Sequence, residues 1–235
     1  MNKLFITRIQ LNKDTVPSFR IYPFNIKVVK NFDKLDFKSP VTFFIGENGV
    51  GKSTFIEAIA VAMGLNAEGG SQNFRFTTKN TTSELYKYLK ISKLFTPKTK
   101  YFLRAESFYN VATEVEKLDS PYSLHNCSHG ESFITTIANG ITENGLYILD
   151  EPEAALSPSR QLTLLCLIDE LVNKGCQFII STHSPILISY KKGVILDLDN
   201  NFEETDYFDT EIYKTYKMFL DDPYRIQEKL YDYDE

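Results

Sequence analysis

The sequence predicts an α/β fold in which a mostly parallel sheet carries helices on its faces and a small antiparallel β layer lies beside it. Three observations lead there. Short, nearly uninterrupted apolar runs recur at VTFFI (41–45), LYIL (146–149), QFIIS (177–181) and VILDL (194–198), each bounded by polar or glycine residues, as strands covered on both faces should be. Helical stretches lie between runs, and strands joined through a helix pair in parallel. A glycine-rich turn links the first of these runs to its helix.

Taken in order, KLFITRI (3–9) and NIKVVKNF (25–32) are β-type segments, rich in β-branched and aromatic residues, and are expected to form the antiparallel layer. VTFFI is the first buried strand. KSTFIEAIAVAM (52–63) is apolar on nearly all sides, so it predicts a helix buried between layers, ended by Gly64. Residues 66–82, rich in Asn, Gly, Ser and Thr, predict a loop. SELYKYLKISKLF (83–95) has helical spacing at Leu85, Tyr88 and Leu89, with Pro97 beyond it. YFLRA (101–105) predicts a strand, followed by a short helical lobe over roughly 107–142. A further helix starts with Ser157 as N-cap and Pro158 at the first helical position and stops at Gly175. The tail, roughly 205–235, is expected to be helical, with its main helix over 209–220.

The bulk properties narrow the class. A length of 235 residues suits one α/β domain, and 43% hydrophobic with 24% charged residues is ordinary for a globular chain. A net charge of -5 argues against a nucleic-acid coat protein but leaves room for a local basic groove. No apolar run approaches the roughly 20 residues of a membrane span, and MNKLFITRIQ is too short in apolar residues for a signal peptide. The expectation is a cytoplasmic chain. Cys127, Cys166 and Cys176 lack metal-ligand spacing and suit idle thiols in a reducing compartment.

Three segments carry chemistry. GENGVGKST (46–54) fits G-x-x-x-x-G-K-[ST] through Gly46, Gly51, Lys52 and Ser53, with Glu47, Asn48, Gly49, Val50 and Thr54 completing the segment. Small residues let backbone N–H groups converge on phosphate oxygens, and a following helix adds its positive end. Lys52 can reach terminal phosphates, and the Ser53 hydroxyl can bind Mg2+. LYILDEPE (146–153) is a buried strand followed by Asp150 and Glu151, which it carries to the sheet's carboxyl edge, where ligands bind in α/β folds. Asp150 is the candidate metal residue; Glu151 is the candidate catalytic group that aligns or deprotonates water. FIISTHSP (178–185) places His183 at the same edge, in reach of a phosphate or that water. The plainer readings are a glycine-rich turn, a solvated acidic turn and a structural histidine.

Together the phosphate loop, ILDEPE and STHSP resemble the ATP-binding cassette ATPases, a P-loop NTPase fold. The resemblance makes CSHGES (127–132) legible as that family's signature segment, usually L-S-G-G-Q or L-S-G-G-E: Ser128, Gly130 and Glu131 match, whereas Cys127 and His129 depart. The family's signature covers the ATP held in the phosphate loop of a second subunit, so the resemblance implies an ATP-dependent homodimer with ATP and Mg2+ bound between copies. Ser128-x-x-Glu131 also reads as a capping box, which needs no ligand. AALSP (154–158) is similar to the family's D-loop, with Ser157 where aspartate is common. The family's Q-loop glutamine is missing; ESFYN (106–110) stands there, so Glu106 or Ser107 is the candidate for contact with the metal or its waters, its charge offset by the metal or Arg104.

The short span between RAESF and SHGES leaves no room for a coiled coil or a transporter's larger lobe. The resemblance is therefore nearest to stand-alone bacterial AAA/ABC ATPases related to SMC and RecF-type heads. It implies a Mg2+-dependent ATPase acting on an unidentified protein or nucleic-acid client. A nucleotide-gated interaction module with little turnover and a transporter's ATP subunit are the alternatives. NKDT (12–15) lacks the spacing of a guanine site, and Phe24 and Phe32 are candidates either for adenine stacking or for the core.

Overall fold

The computed structural model describes residues 4–71, 82–104 and 143–231. Within them lie β1 (Ile6–Leu11), α1 (Lys27–Asn31), β2 (Lys34–Asp36), β3 (Val41–Ile45), α2 (Lys52–Ala62), β4 (Gly70–Ser71), β5 (Leu89–Lys93), β6 (Thr99–Arg104), β7 (Gly145–Asp150), α3 (Pro158–Asn173), β8 (Gln177–Ser181), β9 (Val194–Asp197), β10 (Glu203–Thr205), α4 (Glu211–Asp221) and α5 (Pro223–Tyr231). The main sheet runs β10-β9-β3-β8-β7-β6-β4. Its inner strands β9, β3, β8, β7 and β6 are parallel, and the edge strands β10 and β4 are antiparallel. A second, antiparallel sheet runs β2-β1-β5. No helix among the described residues is long and apolar enough to cross a membrane.

The apolar runs divide by the period of two that a pleated strand imposes. In β3, Phe44 faces α2 and the small sheet, whereas Val41, Phe43 and Ile45 face α3. In β7, Leu146 and Ile148 go to the first side and Tyr147 and Leu149 to the second; Ile179 of β8 opposes Phe178 and Ile180 in the same way. Both faces of the sheet are thus covered, which is why these strands are apolar throughout. Phe55, Ile56 and Ile59 of α2 are fully buried, and on the other face so are Leu164 and Ile168 of α3.

Two segments fold differently from the sequence expectation. NIKVVKNF contains the short helix α1, not a strand. Val28 and Val29 are buried against α2 and the phosphate loop, and the Val28 N–H donates to the Val50 carbonyl at 3.4 Å. Tertiary packing overrides their β propensity. SELYKYLKISKLF gives a 3-10 turn over Glu84–Tyr88 and then strand β5. Its apolar spacing is satisfied by a single buried anchor, Leu85, after which LKISK alternates with period two; Leu89 and Ile91 pack toward the core as β5 pairs with β1. The antiparallel layer is therefore built from β1, β2 and β5. Phe24 and Phe32 are each 2% exposed and belong to the core, with Phe32 edge-on to Phe55 at 4.8 Å.

One polar residue joins the two sheets. Gln177, at the start of β8, is fully buried; its Oε1 accepts from the N–H groups of Phe5 (2.7 Å) and Ile6 (2.9 Å), and its Nε2 donates to the Ile6 carbonyl (3.0 Å). Replacing it with alanine orphans three buried backbone groups, each costing about 1–3 kcal/mol. Gln177→Ala is expected to lower the unfolding free energy by about 3 kcal/mol or more in urea titrations, with the loss shared by Gln177→Leu.

Candidate phosphate-binding site

The site forms where β3, β8, β7 and β6 end. Register sets its centre: Arg104 of β6 aligns with Asp150 of β7, which aligns with Ser181 of β8. Asp150 is 4% exposed. Its Oδ1 accepts from the hydroxyls of Ser53 (3.2 Å) and Ser181, and its Oδ2 accepts from Arg104 Nε at 3.2 Å. The same guanidinium donates from Nη1 to Glu57 Oε2 at 3.0 Å, and Glu57 Oε1 accepts from the Ser83 N–H at 3.1 Å. Burial works against the charge of Arg104, but Asp150 and Glu57 outweigh it and hold the guanidinium above its usual range. The Asp150 carboxylate is thereby fixed in place beside Ser53.

The loop between β3 and α2 takes a shape that demands glycine. Gly51 has φ 108°, and a Cβ there would meet Ile26 Cγ2 at 2.4 Å and Val28 Cγ1 at 2.8 Å. Gly46 has φ 146°, and a Cβ there would come within 3.0 Å of Asp199 Oδ2. That carboxylate accepts from the Glu47 N–H at 2.6 Å and pairs with Lys27 at 3.1 Å. Glu47, Asn48 and Gly49 form an exposed rim, Val50 is buried, and Thr54 lies in the first turn of α2. The first N–H groups of α2 have no intrahelical acceptor. Lys52 is 4% exposed and donates from Nζ to the carbonyls of Gly46 (2.7 Å) and Glu47 (3.1 Å). Burial lowers its pKa, opposed by Glu151, Asp199, Asp150 and Glu47.

Glu151 follows β7 in the left-handed region, at φ 48° and ψ 53°, with its N–H bonded to the Ser181 carbonyl at 3.0 Å. Its Oε1 lies 3.8 Å from His183 Nε2. That nitrogen is buried and has no hydrogen-bond partner among the described residues. Burial, and then the charge of Lys52, lower the His183 pKa below 6.5. A cleft of about 370 Å3 opens beside these groups, lined by Gly46, Glu47, His183, Asp199, Ile212 and Tyr216, so α4 forms one wall.

The predicted residues Gly46–Thr54, Asp150, Glu151 and His183 therefore come together. Glu106, Ser107 and the signature residues Ser128, Gly130 and Glu131 lie outside the described residues. Arg104, which with the metal was expected to offset Glu106, holds Asp150 and Glu57. Glu57, Ser181, Asp199 and Glu153 also reach the site, and no sequence motif marks them. Glu57 had a signal: it is a lone carboxylate in an otherwise apolar helix face.

These groups fit a phosphate and a divalent cation. A phosphate oxygen would take N–H groups at the start of α2, give Lys52 a partner better than neutral carbonyls, and satisfy His183 Nε2. The Ser53 hydroxyl and Asp150 carboxylate are hard oxygen donors suited to Mg2+, which characteristically takes one or two protein ligands beside substrate phosphates. No cluster of three or more His, Cys, Asp or Glu set to hold a metal occurs among the described residues.

Two outcomes check this geometry. Arg104→Met would leave Glu57 and Asp150 as buried carboxylates without their cation, and a loss of about 3–5 kcal/mol is expected by chemical denaturation. The His183 ring is expected to titrate below 6.5, as followed by NMR, and its midpoint should rise in Lys52→Met, because Lys52 disfavours the protonated ring. By linkage, a histidine held below its unfolded pKa contributes stability that is fully present above 6.5 and is lost as pH falls from there through the lowered folded-state pKa.

Comparison with known proteins assigns the family. A family model described as an AAA domain (AAA_23) matches residues 19–166, more than half of the chain. The lipoprotein-releasing system ATP-binding protein LolD of Buchnera aphidicola is 26% identical, over 86% of this chain and 97% of LolD. The xylose import ATP-binding protein XylG of Thermoanaerobacter pseudethanolicus is 24% identical, over 75% of this chain but only 43% of XylG, so this chain spans less than half the length of that relative. Among solved structures, the SMC head domain from Thermotoga maritima is similar at a TM-score of 0.47 and 15% identity, covering 83% of this chain and 94% of that one. A phosphate loop after a buried strand, a carboxylate pair after the next-but-one strand of the sheet, and a family model over 19–166 agree: the chain belongs to the AAA domain family, with the P-loop fold of the ABC type.

Proposed function

We infer that the chain binds and hydrolyses ATP with Mg2+, and that two copies close around two ATP molecules to do so, coupling the cycle to a protein or nucleic-acid client. The observation that carries this reading is the convergence of Lys52, Ser53, Asp150, Glu151 and His183 at one carboxyl edge. Lys52 binds the terminal phosphates and neutralises their charge. Ser53 and Asp150 hold the cation, which when bound would act as a Lewis acid on phosphate oxygens. Glu151 orients the attacking water and takes its proton. His183 donates from its ring to the terminal phosphate or holds the water against it.

Closure by a second copy has a physical motive. The side chains of Glu151 and His183 are 39% and 35% exposed, so the reacting edge stands open to solvent in a single copy. Phosphoryl transfer to the intended water gains from a dry, preorganised site. The segment 128–131 of the other copy, similar to the family signature, is the proposed lid: Ser128 and backbone N–H groups at Gly130 and Glu131 would supply donors to the terminal phosphate. On this reading Glu106 contacts the metal or its waters.

The test separates chemistry from assembly. Glu151→Gln is expected to bind ATP while turnover falls by about 100-fold or more, consistent with loss of a general base. With saturating ATP and Mg2+, light scattering should find that variant as a dimer, and Ser128→Arg introduced alongside should return it to monomer. Wild-type turnover per subunit should rise with protein concentration. A Glu151→Gln protein that remains monomeric under those conditions rules out the composite site.

A further inference from the structure

The residue after the DEP turn makes contacts that the proposed chemistry does not use. Glu153 lies in the 3-10 turn Pro152–Ala155, directly behind Glu151. Its side chain is turned inward. Oε1 accepts the backbone N–H of His183 at 2.5 Å. Oε2 is buried with no hydrogen-bond partner among the described residues. Burial raises the carboxyl's pKa, against the N–H of His183 and the Thr182 hydroxyl.

Around His183, every neighbouring position is tied to the scaffold. The Thr182 N–H donates to the Phe44 carbonyl at 3.1 Å. Ser184 donates its hydroxyl to Gln161 and accepts from the N–H groups of Ile186 and Leu187, both at 3.1 Å. The backbone of His183 itself is held by Glu153. The turn that carries Glu151 and the segment that carries His183 are thus linked through one carboxylate, while their functional atoms stand 3.8 Å apart. A buried carboxylate oxygen without a partner is unfavourable, and a stable turn does not require one. Such departures from the stability optimum concentrate at functional sites.

We propose that Glu153 is a positioning residue: it clamps the His183 backbone to the turn behind Glu151, so that the two side chains address one reacting centre. The proposal rests on the ATPase reading above. The carboxylate acts through His183, and displacement of the 152–155 turn moves the ring with it.

The experiment pairs a kinetic cycle with a readout that needs no turnover. In Glu153→Ala, kcat is expected to fall by about tenfold to a hundredfold, the range that follows from misplacing a catalytic group by an ångström or less, with KM little changed. Glu153→Gln, which keeps an acceptor for the His183 N–H, should recover most of that rate. In a His183→Ala background, Glu153→Ala should cause no further loss. Independently, hydrogen exchange at the His183 amide should accelerate at least tenfold in Glu153→Ala and stay near wild type in Glu153→Gln, with amides of β3 unchanged. If the wild type hydrolyses no ATP, the ATPase reading fails and the exchange measurement alone decides the clamp. Additive kinetic losses, or a His183 amide whose exchange is unaltered or accelerates only together with the β3 amides, would overturn the proposal.

Discussion

The buried carboxylate of Asp150 constrains everything near it. An anion this deeply covered is tolerable only when surrounded by donors, and the sheet supplies them by register. Arg104, Asp150 and Ser181 stand side by side because β6, β7 and β8 are parallel and in step. Any slip of one residue between these strands would turn its side chains to the other face, separating the charge from its partners. The same ladder sets the position of Glu151, one residue on, and of His183, two residues beyond Ser181. The geometry of the candidate site is a consequence of strand pairing.

The phosphate loop depends on that frame from its other side. Gly51 lets Ile26 and Val28 approach closer than any Cβ would allow, so α1 acts as a buttress under the loop. Asp199 meets the loop from beyond β9, where Asp197 shapes the turn by accepting from the Asp199 N–H at 2.9 Å. The Glu47 N–H and Lys27 bond to Asp199 and lower its pKa even though burial opposes this. The loop is therefore gripped between a helix and a hairpin before any phosphate arrives, and little conformational entropy remains to be lost on binding.

Much of this was legible in the sequence, for reasons that differ by residue. The main-sheet strands were readable because covering on both faces forces continuous apolar runs, and VTFFI and QFIIS match β3 and β8 end to end. The phosphate loop was readable because its backbone shape admits few residues. The start of α3 was readable from Ser157 and Pro158. Partners were not readable. Nothing local marks Arg104 as the cation of Asp150, or Gln177 as the bridge to β1; those contacts span 46 and about 170 residues of chain. VVKN misled because its buried valines pack as a helical turn, and LKISK because Leu85, Tyr88 and Leu89 imitate helical spacing just before the period-two segment begins.

Two polar side chains, the buried Gln177 and the half-buried Glu153, contrast in how their hydrogen-bonding groups are satisfied. Gln177 meets backbone donors and an acceptor with both ends of its amide, carries no charge, and lies far from the carboxyl edge in its strand. That is what a residue retained for assembly should look like: a satisfied network that fixes one packing of two sheets. Glu153 carries a proton-sensitive group, leaves one oxygen without a partner, and touches the segment bearing His183. His183 in turn buries a ring nitrogen without a partner 3.8 Å from Glu151. Unsatisfied groups in a folded chain call for a physical account, and here they share one neighbourhood, between the turn after β7 and the segment after β8. The orphaned ring nitrogen is of the right polarity to donate to a phosphate oxygen, whereas Glu153 stands behind it and holds the His183 backbone.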